Sequence, residues 1–261
     1  MKKIILVILL SLTSMMTQSQ TKIIAHRGFS GIAPENTLIA FQKAIDVGAD
    51  YFELDVHKSK DNELIVIHDQ SVDRTSSNGT TGIVADLNYD ELKDIKVGYS
   101  SKFKDTFKDE KIPTLKEALE MAKGKIKVCI EIKVLGIAEE VLKTIRKVGV
   151  KDEVIIFCFA YEVLEKIREM NKTIPILYLE GESNTETIKK ALAINANAIG
   201  LGSKSTLSKK YIEEANKQGI EVWRWTVDDV DEMKQLIEIG INGLITNYPN
   251  KALKIRKSLT N

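Results

Sequence analysis

"YFELDVHK", residues 51–58, is too acidic for an ordinary buried strand and too regular for a loop. Read with a two-residue period, Leu54 and Val56 fall on one face and Glu53, Asp55 and His57 on the other. "KVCIEIK", residues 127–133, repeats the pattern, with Val128, Ile130 and Ile132 on one face and Cys129, Glu131 and Lys133 on the other. Strands that are aliphatic on one side and acidic on the other suit the wall of a closed barrel. Its outer face packs on helices, and its inward side chains gather chemistry at the C-terminal mouth.

Other short apolar runs stand at residues 22–28, 154–159, 174–179, 198–203, 221–227 and 243–247. Amphipathic stretches separate the runs, as in "ENTLIAFQKAIDVGA", where Leu38, Phe41 and Ile45 share a helical face. Asn36 and Asp228 are expected N-caps. Eight strand-plus-helix units in about 240 residues favour an α/β fold of the (βα)8 TIM-barrel type over the alternative, an open doubly wound sheet. "GLGSKS" (201–205 and its preceding Gly200) has the wrong glycine spacing for a dinucleotide or phosphate loop. Residues 57–113 exceed the rhythm. "HKSKDNELIVIHD" reads as a hairpin turning at Asp61-Asn62, and the polar, glycine-bearing stretch after it as a small, largely solvated insertion following the second barrel strand.

The first twenty residues carry Lys2 and Lys3, an apolar run too short to span a bilayer, and small polar residues before Gln20. They read as a signal peptide, with an uncleaved N-terminal anchor as the alternative. The expected protein is exported, periplasmic or secreted, with no stable membrane anchor and one barrel domain over residues 21–261. The whole chain has 38 basic and 37 acidic residues, a balance that argues against a nucleic-acid partner. Cys129 and Cys158 both lie inside apolar runs and read as small buried hydrophobes, with a disulfide as the alternative in an oxidising compartment.

Three inward carboxylates cannot all stay ionised unaided. Two unit charges about 4 Å apart repel by about 4 kcal/mol at an effective dielectric of 20. Lys133 offsets one of Glu53, Asp55 and Glu131, and a hard divalent cation, Ca²⁺ or Mg²⁺, suits the all-oxygen set. The alternative is a buried Glu–Lys ion pair with one protonated acid. All 3 histidines of the chain, His26, His57 and His68, fall within residues 26–68 beside these acids. His26 and His68 read as an acid/base pair, and His57, placed in the hairpin turn, is left as either structural or functional. His26 is followed at once by Arg27, a pairing that repels itself unless an anion joins it. A phosphate fits, held by Arg27 and the cation while the histidines move protons.

Together "IAHRG", "PENT", "E-x-D-V", "HD", "RTSSNGTTG", "E-x-K" and "WTV", in this order and at these intervals, resemble the glycerophosphodiester phosphodiesterase family over nearly the whole mature chain. The resemblance implies metal-dependent hydrolysis of a small-molecule glycerophosphodiester to sn-glycerol 3-phosphate and an alcohol. It implies acid/base roles for His26 and His68, a divalent-metal site at Glu53, Asp55 and Glu131, phosphate contacts from Arg27 and Lys133, and a glycerol wall at Trp225. Which histidine is acid and which is base stays open. The chain departs from the family pattern at Cys158-Phe159-Ala160, where Cys158 could alter the pocket wall, at Thr246-Asn247-Tyr248-Pro249, and at Asp61-Asn62. The short insertion points to deacylated substrates. The sphingomyelinase D-like phospholipases share the histidines and acids but lack this arrangement of PENT and E-x-K. A silent phosphodiester-binding protein would have lost part of the set, which is complete here.

Overall fold

The computed structural model describes residues 20–260, so the expected signal peptide lies outside the described residues apart from Gln20. Nine strands form: β1 (Lys22–Ala25), β2 (Tyr51–Lys58), β3 (Leu64–Val66), β4 (Lys127–Ile132), β5 (Val154–Cys158), β6 (Ile176–Glu180), β7 (Ala198–Gly202), β8 (Glu221–Trp225) and β9 (Gly243–Thr246). Each neighbouring pair among β1, β2 and β4 to β9 is parallel, and β1 pairs with both β2 and β9, so eight strands close into a barrel. β3 is outside the ring, antiparallel to the end of β2, and completes the expected hairpin with Asn62 at φ +70° in its turn. One principal helix follows each barrel strand, from Leu38–Asp46 after β1 to Pro249–Thr260 after β9. The open-sheet alternative is excluded by the β1–β2 closure.

Alternation along the strands sorts the core into two shells. Ile24, Cys129, Phe157, Leu177, Leu179 and Trp223 belong to the buried cluster inside the ring. The even-numbered partners on the acidic strands, Leu54, Val56, Ile130 and Ile132, join the helices in the outer shell. Trp223 needs room from β9: a Cβ on Gly243 would stand 2.4 Å from its ring, so no larger residue fits there without moving the tryptophan. Cys129 and Cys158 are free thiols in different shells, which removes the disulfide alternative.

Three expectations need correction. The first long helix is capped by Thr37, whose Oγ1 accepts from the Ala40 N–H, not by Asn36. The helix after β8 is capped by Asp229, not Asp228. Asn36 and Asp228 are both turned into the mouth of the barrel, and the next residue takes over each cap. The segment after β2 is also more than a solvated excursion: Ile65, Ile67, Val72, Val84, Leu92 and Ile112 are among the residues of its own buried cluster. That small core fixes the loop carrying His68.

Candidate active site

Strand register brings the acids together. Asp55 on β2 stands beside Glu131 on β4, and Glu53 beside Cys129. Carboxylate oxygens of Glu53, Asp55 and Glu131 lie within 4.8 Å of one another. Lys133 continues β4 past its end, with Nζ 2.7 Å from Glu131 and 3.5 Å from Asp55. Asp55 also accepts from Asn36 Nδ2 at 2.8 Å, and the Arg27 Nε is 3.4 Å away.

The chain turns sharply after β1 to deliver Arg27. Arg27 has φ +53°, a left-handed conformation that costs a non-glycine residue roughly 1–2 kcal/mol. The turn sends its N–H to Glu53 Oε2 at 2.8 Å and its guanidinium to Glu35 at 2.8 Å. Gly28 follows at φ +77°, with Ala40 packed so close that a Cβ would meet its backbone at 2.6 Å. The HRG and PENT motifs are thus one folded unit, the second bracing the first.

His26, Arg27, Glu53, Glu131, Lys133 and Trp225 line one cleft of about 110 Å³ at the mouth, and His68 reaches it from the insertion. Phe157 and Phe159 form its apolar wall, and the Phe159 ring meets Trp225 edge-on at 5.3 Å. Asp55 is buried and is not among the residues that line the cleft. Cys158 does not line the cleft: its side chain packs in the outer shell and its Sγ–H donates to the Ile132 carbonyl at 3.2 Å. His57 is a buried strand residue rather than a turn residue, and its Nε2–H donates to the His68 carbonyl at 3.0 Å, so it supports the loop of His68.

The two cleft histidines are held differently. His26 Nδ1 is 2.8 Å from Asn247 Oδ1. The Asn247 amide nitrogen donates to Asp228, which as a carboxylate can only accept, so the amide oxygen must face His26. His26 therefore carries its proton on Nδ1 and leaves Nε2 bare. Burial, and then the Arg27 charge, lower the His26 pKa to about 4, so the ring is neutral at neutral pH. His68 Nδ1 instead faces the Asp69 carboxylate at 2.7 Å, and a carboxylate can only accept, so the ring donates there.

The acids are as strained as their spacing implies. Burial, then the charges of Asp55 and Glu131, push the Glu53 pKa well up. Burial and Asp55 raise Glu131 to about 7. Burial also opposes the charge on Asp55, but Arg27 and Lys133 outweigh it and hold that carboxyl below its ordinary value. Glu53 Oε1 is buried with no hydrogen-bond partner. An orphaned carboxylate oxygen inside a cluster of oxygen donors fits a hard cation, and the triad could hold one.

Sequence reasoning did not assign Glu35, Asn36, Asp69, Arg74, Asp228 or Asn247 a role at the site. The first two lay within PENT and Asp69 directly follows His68, signals that pointed at the motif but not at the partner.

A family model described as "Glycerophosphoryl diester phosphodiesterase family" matches residues 26–251. A glycerophosphodiester phosphodiesterase of Caldanaerobacter subterraneus subsp. tengcongensis is 37% identical over 242 residues, covering 90% of this chain and 98% of its own. One from Bacillus altitudinis is 31% identical, over 92% of this chain and 99% of its own. Among solved structures, a glycerophosphodiester phosphodiesterase of Agrobacterium tumefaciens superposes with a TM-score of 0.78 at 27% identity, over 89% of this chain and 99% of that one. A phosphodiesterase of Oleispira antarctica, solved with the product sn-glycerol-3-phosphate, gives 0.82 at 24% identity, over 91% and 97%. The chain belongs to the glycerophosphoryl diester phosphodiesterase family, whose enzymes hydrolyse glycerophosphodiesters.

Proposed function

We propose that this enzyme releases sn-glycerol 3-phosphate and a free alcohol from small glycerophosphodiesters, with Glu53, Asp55 and Glu131 holding Ca²⁺ or Mg²⁺. The observation that carries this reading is the carboxylate triad, with an unpartnered buried oxygen, in the same cleft as two histidines. The product complex of the Oleispira relative supports the choice of product. The cation would polarise the phosphate oxygens and offset charge on the acids.

The protein's own groups supply the rest. Arg27 and Lys133 hold the phosphate from two sides, and the arriving negative charge offsets the Arg27 charge that opposes protonation of the neutral His26 ring. Bare His26 Nε2 is suited to take the proton of the attacking hydroxyl. His68, held by Asp69, is suited to give its proton to the departing alcohol oxygen. In this reading the attacking group is the substrate's own glycerol hydroxyl, which forms a cyclic phosphate and expels the alcohol. Water then opens the ring with the two proton transfers reversed. Trp225 and Phe159 shape the glycerol end. Export to the periplasm or medium, read from residues 1–20, would place this hydrolysis outside the cytoplasm, and sequencing the N-terminus of the purified native protein checks it.

The test is release of glycerol 3-phosphate from glycerophosphocholine in EDTA and after Ca²⁺ or Mg²⁺ is restored. Metal-restored activity that His26→Ala lowers by roughly 10²–10⁴-fold supports the reading. Silence with the choline, ethanolamine, glycerol and inositol diesters alike overturns it. A p-nitrophenyl leaving group separates the histidines, because it departs without a proton. His68→Ala should then lose far less than with choline, and His26→Ala as much as before.

A further inference from the structure

Arg74 stands in the insertion, inside the "RTSSNGTTG" motif, and the reaction above gives it no task. Its donors are nevertheless fully committed. Nε donates to Asp69 Oδ2 at 2.6 Å, and Nη2 to Asp69 Oδ1 at 3.1 Å and Glu35 Oε1 at 2.7 Å. Nη1 donates to Glu35 Oε2 at 2.8 Å and, more weakly, toward the Tyr99 hydroxyl at 3.4 Å. A guanidinium has five N–H donors, and all of them are used, so none remains for a substrate phosphate. The guanidinium also lies over the Tyr99 ring, 5.5 Å from its centre.

Both carboxylates it grips hold something else. Asp69 holds His68 Nδ1, and Glu35 holds the Arg27 guanidinium. A continuous chain therefore runs Arg27–Glu35–Arg74–Asp69–His68, from the barrel loop that holds phosphate to the insertion loop that moves the proton. Without its central cation, Glu35 and Asp69 become two facing carboxylates that repel, and each would draw its partner out of place.

We propose that Arg74 is a positioning residue that couples the phosphate-holding side of the site to its proton-transfer side, locking the insertion's His68 in register with the barrel's Arg27. The inference rests on the functional reading above. Its geometry demands a planar fork gripping two carboxylates, which a lysine, a single compact charge, cannot reproduce.

The metal-loaded enzyme tests it, with glycerophosphocholine and the p-nitrophenyl ester of glycerol 3-phosphate as substrates. Arg74→Met should lower kcat on the choline diester by about 10²-fold, the scale of a small misplacement of reacting groups, with KM changed by less than about threefold. The loss should shrink on the p-nitrophenyl ester, and Arg74→Lys should restore only a small part of it. The decisive readout is coupling. With Arg74 present, Glu35→Gln and Asp69→Asn combined should cost less than the product of their separate costs; in the Arg74→Met background the two should multiply independently. A purely structural role lowers the melting temperature and leaves that coupling unchanged. If Arg74→Met does not fold, Arg74→Lys carries the same cycle. Retention of kcat within about threefold by a folded Arg74→Met, or independent Glu35 and Asp69 effects with Arg74 present, overturns the proposal. A wild type silent on both substrates would instead overturn the functional reading itself.

Discussion

The two halves of the barrel wall obey one alternation and use it for opposite ends. On β2 and β4 the inward positions near the mouth are Glu53, Asp55 and Glu131; on β5 and β6 they are Ile155, Phe157, Leu177 and Leu179. The apolar half contributes burial and keeps water out. The acidic half is a local liability, three clustered carboxylates, two buried and one partly exposed, relieved by Arg27 and Lys133. Each half depends on the other, because the low dielectric supplied by the aliphatic side is what makes the charges on the acidic side strong. The fold spends stability on one arc of its wall to assemble a site there.

If that division is right, substitutions on the acidic arc should abolish chemistry without harming the fold. Glu131→Gln is expected to lower kcat/KM by roughly 10⁴-fold, about 5 kcal/mol of lost transition-state stabilisation. Its melting temperature in EDTA should equal or exceed the wild type's, since a repelling charge has gone. A variant that is both inactive and markedly less stable would break the comparison. On the opposite side, Trp223→Ala should cost about 3–5 kcal/mol in urea unfolding, through lost burial and the void left over Gly243. A cost below about 1 kcal/mol would mean the apolar half does not carry the stability assigned to it.

The sign of the pH dependence sharpens the same contrast. Glu131 titrates at about 7 in the folded metal-free chain and near the ordinary 4.5 when unfolded. Between those values the folded state binds more protons, so stability falls as pH rises from about 4.5 to 7 and then levels off, by about 3 kcal/mol for this one group. Glu131→Gln should flatten that slope, and added Ca²⁺ or Mg²⁺ should reverse it by binding the ionised acids. Asp69 runs the other way. Its pKa, lowered to about 2 chiefly by the hydrogen bonds from Arg74, adds stability above pH 4 that is lost only on further acidification. Equal slopes for wild type and Glu131→Gln in EDTA would mean the triad shares its charge differently.

The acidic arc was legible in sequence because a strand's period of two is rigid: once Leu54 and Val56 faced out, Glu53 and Asp55 had to face in. The barrel followed from the repetition of such units. What holds the histidines was not legible, since His26 and Asn247 are 221 residues apart and meet only because β1 lies beside β9. Arg74 and Glu35, 39 residues apart, meet across a loop whose path depends on the insertion's own small core. Beyond the hairpin's Ile65 and Ile67, that core gathers residues from short turns and loops with no sustained period to read. The caps misled for a related reason: Asn36 and Asp228 have the right chemistry for a helix start, but the mouth of the barrel has a stronger claim on them, through Asp55 and Asn247.

Cys158 offers the smallest effect and the finest test of the inside–outside distinction. Its neighbours Phe157 and Phe159 line the cleft, and the sequence alone leaves Cys158 able to alter the pocket wall. In the structure its side chain belongs to the outer shell and its thiol, with a pKa pushed up to about 11 chiefly by burial, is protonated and unreactive at neutral pH. Cys158→Ala should therefore cost about 1 kcal/mol of stability from lost packing. kcat and KM for glycerophosphocholine should each stay within about twofold, because no atom that meets substrate has moved. A fivefold change in KM, with stability intact, would show that the outer shell reaches the substrate and that the cleft wall is not set by the inward residues alone.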